Sequence, residues 1–366
     1  METIQHYLDY NATAPALPQV LEIIQELHSL PLNPSSVHTG GRKAKQVLDS
    51  ARRTLAEVIG AFPAEIIFTS SGTEANNWAI RSFPGDVVLV SSIEHSSVLK
   101  TAQQRNHILL PVTEEGAVDM EKLKYTLKDK KNFLVSVMLA NNETGVIQPI
   151  QEIAALVHEA GGLLHCDAVQ ALGKIPVDFT NLGCDMMTLS AHKMGGTLGA
   201  AALVVKNGLP LQPFITGGGQ EQNRRAGTEN AAAIAGFAKA AELIDFKHMA
   251  QIRHWLDNFE AQVTSIGGRV IGKEAPRLPN TSCIVMPNVT AETQLISFDL
   301  EGIAASAGSA CSSGRIEPSH VLKAMGMETA QATSALRISG GWATTEQDIN
   351  VLTAAWEKLF RRKHAL

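Results

Sequence analysis

Residues 65–80 read EIIFTSSGTEANNWAI, and the rest of the chain can be understood from this segment. Glu65–Thr69 is rich in β-branched and aromatic side chains, as a buried strand is. Ser70-Ser71-Gly72-Thr73 is a small-residue turn. Glu74–Arg81 then has helical spacing. The same alternation recurs downstream. Asp86–Val90, Phe133–Leu139, Leu163–Cys166, Met186–Leu189 and Ala201–Val205 read as strands. Glu121–Lys128 and Ile150–Ala160 read as helices, the latter ending at Gly161-Gly162. Strand–helix alternation of this kind predicts an α/β fold: a large domain with a mainly parallel sheet flanked by helices. After about residue 229 the pattern changes. Asn230–Asp245 and His248–Thr264 read as helix, Thr281–Met286 as strand, Thr293–Glu301 as helix, Leu336–Ser339 as strand and Thr345–Phe360 as helix. The expectation is a large domain over 14–249 and a smaller α+β domain over 250–366, with residues 1–13 packed against the latter.

Composition narrows the function. The 366 residues are 45% hydrophobic and 18% charged, a globular balance. Lys+Arg at 31 against Asp+Glu at 36 gives a net charge of −5, which argues against direct nucleic-acid binding. Aromatics at 5% are too sparse for a base-stacking platform. The four cysteines, Cys166, Cys184, Cys283 and Cys311, fall in no C-x-x-C or C-x-x-H spacing. That excludes the usual zinc arrangements and a compact disulfide framework. The sequence METIQHYLDYNATAP at the start has neither a basic region nor an apolar core. No run approaches the ~18 apolar residues of a membrane span. A cytoplasmic protein that does not engage membranes is expected.

In an open parallel sheet, ligands bind beyond the carboxyl ends of the strands. Those positions hold Ser70–Glu74, Glu94-His95, Asn141-Asn142, Asp167 with Gln170, and Ser190-Ala191-His192-Lys193. Ser70–Thr73 at a helix start forms an anion cup, or else an ordinary N-cap turn. Asp167, closing an apolar strand, either pairs with a cation or caps the next turn. Lys193 enters a Gly-rich loop from a core strand, as a Schiff-base amine does; alone it equally reads as a surface lysine. Together, a phosphate cup, an acid and a rim lysine match the needs of pyridoxal phosphate. His95 could lie flat on its ring, or be a hydrogen-bonded loop histidine. Ala304–Gly314 is all Ala, Ser and Gly except Cys311. Such a segment suits a thiol that reaches into a site and swings out, or a tight turn with a bystander cysteine. The other three cysteines sit in or beside apolar strands and read as core thiols. Arg337, inside an apolar strand, either holds a substrate carboxylate or makes an internal salt bridge.

With these residues assembled, the chain resembles the cysteine desulfurases of the NifS/IscS type, within the class V aminotransferase superfamily of fold type I pyridoxal phosphate enzymes. The resemblance runs nearly end to end: YLDYNATAP at 7–15, NPSSVHTGG at 33–41, EIIFTSSGTEANNWAI at 65–80, EHSSV at 94–98, NNETGVIQPI at 141–150, DAVQALGK at 167–174, SAHKMGG at 190–196, GGGQEQNRRAGTEN at 217–230, SAGSACSSG at 306–314 and LRISGG at 336–341. It implies that Lys193 carries the cofactor, Asp167 pairs with the pyridinium nitrogen, His95 stacks on the ring and Gln170 meets the ring hydroxyl. Gly72, Thr73, Ser190 and His192 would hold the phosphate, with Thr228 reaching in from the other subunit of a homodimer. Asn142, beside the cofactor, and Arg337 would hold the substrate carboxylate, and Cys311 would take the sulfur. The loop around Cys311 resembles the group with the longer catalytic loop. The family often has Pro-Lys-Gly after the lysine, where this chain has Gly196-Thr197-Leu198-Gly199. Where Glu-Arg-Gly is common, it has Glu221-Gln222-Asn223.

The implied reaction converts L-cysteine to L-alanine and leaves a persulfide on Cys311, with His95 as a proton acceptor. The sulfur would pass to an acceptor protein for iron–sulfur cluster assembly, or for tRNA thiolation. No resident metal is implied, although Cys311 could briefly ligate an iron–sulfur cluster. Selenocysteine lysis, small-amino-acid transamination and a non-catalytic sulfur-relay scaffold are the competing readings.

Overall fold

The computed structural model describes residues 5–308 and 318–364. After a short β1 (His6–Tyr7) come β2 (Ile66–Thr69), β3 (Val87–Ser91), β4 (His107–Leu110), β5 (Phe133–Met138), β6 (Leu163–Asp167), β7 (Met186–Ser190) and β8 (Ala201–Val205). These last seven form one sheet in the order β2-β8-β7-β6-β5-β3-β4. β8 is antiparallel to both its neighbours, and every other pairing is parallel. β2 and β7, on either side of β8, therefore point the same way, and six carboxyl ends share one rim.

Both faces of this sheet are apolar, as a helix-covered parallel sheet requires. In β2, Ile66 and Phe68 join a cluster with Leu48 and Leu55 on one face. Ile67, between them, joins Ala75, Trp78 and Ala79 of the helix Gly72–Arg81 on the other. The six strands expected from the sequence are present, with ends shifted by at most a residue or two. β4 and the helices Pro18–His28 and Thr39–Val58 were not among the expected elements. β4 is an edge strand with Leu109 exposed, so it lacks the pattern of a buried one. Helix Thr39–Val58 opens on Gly40-Gly41, a poor helical start. Glycine is needed there: a Cβ on Gly41 would lie 1.9 Å from the Ser36 carbonyl oxygen.

A second sheet holds β9 (Arg269–Val270), β10 (Thr281–Val285), β12 (Ser306–Ala307) and β13 (Ala335–Ser339) in the order β12-β13-β10-β9, all antiparallel. β11 (Ile303–Ala304) pairs in parallel with β1. Helices Phe246–Ser265, Ala291–Asp299 and Glu346–His364 build its core from Phe259, Phe298 and Trp356. Leu8 is buried in the same core, and Asp9 bridges to Ser339. The two helices expected after residue 229 are separated where the Asp245 carboxylate caps Lys247 and His248. The small-residue stretch after Ile303 was expected to be loop, but its described part, through Gly308, contains β11 and β12. Backbone pairing, which composition does not reveal, ordered those residues. No helix among the described residues is long and apolar enough to cross a membrane.

Candidate active site

The turn after β2 begins the site. Ser71, extended at φ −164°, caps helix Gly72–Arg81 by accepting from the Glu74 backbone N–H at 3.1 Å. The amides of Gly72 and Thr73, in the first turn, have no intrahelical acceptor. They and the helix dipole make the cup electropositive. A Cβ on Gly72 would lie 3.0 Å from a Val169 methyl group, so a side chain here would press on the turn after β6. Glu74 closes the other side. It accepts from the Ser70 amide and hydroxyl and pairs with Arg225 at 2.9 Å. Burial alone would raise its pKa, but Arg225 and Ser70 outweigh burial and lower it.

Asp167 ends β6 and is buried. Asn76, one turn into the same helix, donates to its Oδ2 at 2.7 Å, and the Val169 amide donates to Oδ1 at 3.0 Å. Burial still pushes this carboxyl above the ordinary aspartate range, against the pull of His95 and Lys193. A carboxylate so placed gains from a cationic partner. His95 caps the helix Ser96–Ala102, its Nδ1 accepting from the Ser97 amide at 3.1 Å. The ring proton therefore belongs on Nε2. The ring stands in the cleft, and enclosure by the surrounding protein lowers its pKa, with Lys193 and His320 opposing Asp167.

Lys193 leaves β7 on a short 3-10 turn. Its Nζ donates to the carbonyls of Asn11 and Ala12, both at 2.7 Å. Burial and then Arg337 lower its pKa from the usual 10.5 to about 8. Arg337, on β13, is itself buried and pairs with Asp9 at 2.5 Å. Its Nη1 donates to the Asn142 carbonyl at 3.0 Å, and its Nε has no hydrogen-bond partner among the described residues. The internal ion pair expected as one alternative is thus present, and Arg337 also lines the cleft.

That cleft, about 690 Å³, brings together Gly72, Thr73, His95, Asn142, Asp167, Gln170, Ser190, His192, Lys193 and Arg337. Thr228 is exposed and does not line it. Cys311 lies outside the described residues. The remaining cysteines, Cys166, Cys184 and Cys283, are free and buried, and burial pushes Cys283 up to about 12. His192 is half-buried beside Thr13 at 3.1 Å, and burial lowers its pKa to about 4. Sequence reasoning gave no role to Asp9, Asn11, Asn76, Glu143 or His320, which also line the cleft. Asn76 carried a readable signal, an amide on a helix face of Ala75, Trp78 and Ala79. Asp9 and Asn11 carried none, because the N-terminal segment meets the rim only in three dimensions.

The Aminotransferase class-V family matches residues 6–352. A cysteine desulfurase IscS of Dictyoglomus turgidum is 38% identical over 97% of this chain and 94% of its own. A cysteine desulfurase of Cereibacter sphaeroides is 40% identical over 94% and 93%. Among solved structures, a NifS-like protein from Rickettsia africae superposes with a TM-score of 0.91 at 37% identity, covering 97% of this chain and 99% of that one. The chain belongs to the class-V aminotransferase family. It is an enzyme of the family's NifS/IscS cysteine desulfurase branch, with the branch's α/β fold.

The residues present fit the cofactor that class-V aminotransferases imply. The Ser190 hydroxyl is buried with no partner among the described residues, at the end of β7 beside the Gly72 cup. An anion on the free amides of the cup would give that hydroxyl an acceptor. Asp167 lies buried in the cleft wall, and the Lys193 amine, with its lowered pKa, lines the same cleft. Phosphate cup, acid and amine are the set that pyridoxal phosphate requires.

Proposed function

We propose that the protein is a pyridoxal 5'-phosphate-dependent cysteine desulfurase. L-cysteine and the Cys311 thiol would give L-alanine and a Cys311 persulfide. The substrate C–S bond breaks, an S–S bond forms, and the carbon that loses sulfur takes a proton. The observation that carries this reading is the convergence of Lys193, Asp167, His95 and the Gly72–Thr73 cup on one cleft. The cofactor, when bound, supplies an electron sink for the substrate Cα.

The side chains have separable tasks. Gly72, Thr73, Ser190 and His192 would hold the phosphate. Asp167, fixed by Asn76 and Val169, would keep the ring nitrogen charged. Lys193 would hold the cofactor and, once freed, move the Cα proton. Its lowered pKa places a neutral amine within reach of physiological pH. His95, with Nδ1 occupied by Ser97, presents Nε2 to the cleft. Asn142 and the free Nε edge of Arg337 suit an amino-acid carboxylate. Cys311 is assigned as the sulfur acceptor from its place in SAGSACSSG and from the burial of the other three thiols.

Thr228, exposed and away from its own cleft, would complete the cleft of a second copy in a homodimer. A large unit over 14–249 and a small unit over 1–13 and 250–366 are supported by the two separate sheets and cores. The persulfide would go to an iron–sulfur scaffold protein in the cytoplasm, with tRNA-thiolation proteins as a second class of acceptor.

The test is product analysis of the purified protein loaded with pyridoxal phosphate. L-cysteine should yield alanine and, with a reductant, an equal amount of sulfide. Mass spectrometry should find a gain of about 32 Da on Cys311. Cys311→Ser should retain the cofactor absorption and its response to cysteine, but lose roughly 99% or more of sulfide release. Normal sulfide turnover by that variant, or a keto acid in place of alanine, would overturn the reading.

A further inference from the structure

Lys174 is a buried lysine with no task so far. It is 5% exposed and lies seven residues after the end of β6 at Asp167. The charges that act on it, Lys193 and Arg337, are both positive, and burial together with these cations holds its pKa well below the lysine range. Such a group costs stability, so its retention calls for a return. Its Nζ donates to the Gln170 side-chain oxygen at 2.5 Å and to Asn11 Oδ1 at 2.7 Å.

These bonds determine which way the Gln170 amide faces. Its Oε1 is held by Lys174, and its Nε2 donates to the Asn11 carbonyl at 2.9 Å. Turning the amide over would set NH2 against the Lys174 donors and one carbonyl oxygen against another. Nε2 carries a second hydrogen, which has no protein acceptor among the described residues, and Gln170 lines the cleft. The same Asn11 carbonyl accepts from Lys193. Asn11 is fixed in turn by Asn280 and Thr281 of the smaller sheet region.

We propose that Lys174 is a positioning residue: with the Asn11 carbonyl it locks the Gln170 amide so that an Nε2–H donor faces the ring oxygen of the cofactor. The proposal rests on the pyridoxal phosphate reading above. A donor on that oxygen withdraws the negative charge that helps hold a proton on the lysine-derived nitrogen. Losing the lock therefore raises the pH at which the cofactor band titrates. The other titratable and charged groups around that nitrogen, Arg337, Asp9, Asp167, His95 and His192, are kept in every variant below; His192 also feels the Lys174 charge, which Lys174→Gln removes as fully as Lys174→Met does.

The experiment is a spectroscopic pH titration of the holoenzyme band at about 420 nm. Lys174→Met should raise the midpoint by about one pH unit, a tenfold change in proton affinity. Gln170→Met should raise it similarly, and the double variant should add nothing to either. Lys174→Gln, which keeps a donor for the Gln170 oxygen without the charge, should stay near the wild-type midpoint. Its folding, checked by circular dichroism, keeps the comparison readable if Lys174→Met is unstable. An unmoved midpoint in Lys174→Met, additive shifts, or a Lys174→Gln shift as large as that of Lys174→Met would overturn the proposal while leaving the proposed function standing. A wild-type protein that forms no band with pyridoxal phosphate would overturn both.

Discussion

At Lys193, environment turns an ordinary side chain into a reactive one. Burial and the nearby Arg337 bring its pKa to about 8, against 10.5 for a free lysine. Capture of pyridoxal phosphate by the apoprotein needs the neutral amine, so its rate should rise with pH, reach half its maximum near about 8, and then level off. Stopped-flow absorbance across pH 6–10 (a range of about four units around the expected midpoint) checks this. A rate still climbing steeply past the midpoint would show an unperturbed lysine. Removing the second cause by Arg337→Gln should move the midpoint upward. Stability has a defined sign as well. Between the native and ordinary values the unfolded chain holds a proton that the native chain has lost. The apoprotein should therefore gain stability from this group as pH rises across that window, and lose it as pH falls.

Among the elements, β6 shows how one strand serves both fold and site. Leu164 and Cys166 feed the core, and Asp167 emerges at the rim. His165, between them, is buried and bonds Ser136 on β5 at 2.8 Å and Thr188 on β7 at 2.9 Å. Burial lowers its pKa to about 3 from 6.5. The native imidazole stays neutral where the unfolded one would be protonated, so His165 makes stability fall as pH drops from 6.5 toward 3. Urea denaturation at several pH values should show this loss, with a shallower slope in His165→Ala. At neutral pH that variant should be less stable by about 2–4 kcal/mol, from the cavity and the two stranded hydroxyls. The strand and its terminal acid were legible in the sequence, because an apolar run with Asp167 after it fixes both the element and the exit point. The role of His165 was not, because its partners are hydroxyls on neighbouring strands. Asn11 and Lys174 were hidden for the same reason: a buried polar residue announces itself only through tertiary partners. β4 and helix Thr39–Val58 escaped because edge exposure and an opening Gly-Gly dilute their patterns.

For the whole molecule, the placement of Thr228 raises the question of how many chains make one site. The segment before it is tied to its own large sheet. Arg52 forks onto Glu221 at 2.7 and 2.9 Å, the Phe68 amide donates to the same carboxylate, and Arg225 pairs with Glu74. Glu221, Gln222 and Asn223 all take positive φ, so the turn spends strain to hold its direction. One of the two sequence stretches that depart from the family pattern is this strained turn. Its outcome is an exposed Thr228 outside its own cleft, and the proposed homodimer would offer it to another copy. Subunit mixing decides between the alternatives. Lys193→Ala and Thr228→Ala, each poorly active alone, should regain activity when co-expressed. A heterodimer then has one cleft with an intact Lys193 from one chain and an intact Thr228 from the other. If each Thr228 serves its own chain, every cleft in that heterodimer is damaged and no recovery follows. With two homodimers and the heterodimer forming at random, about half of the dimers carry one intact cleft, and recovery should approach roughly a quarter of wild-type turnover.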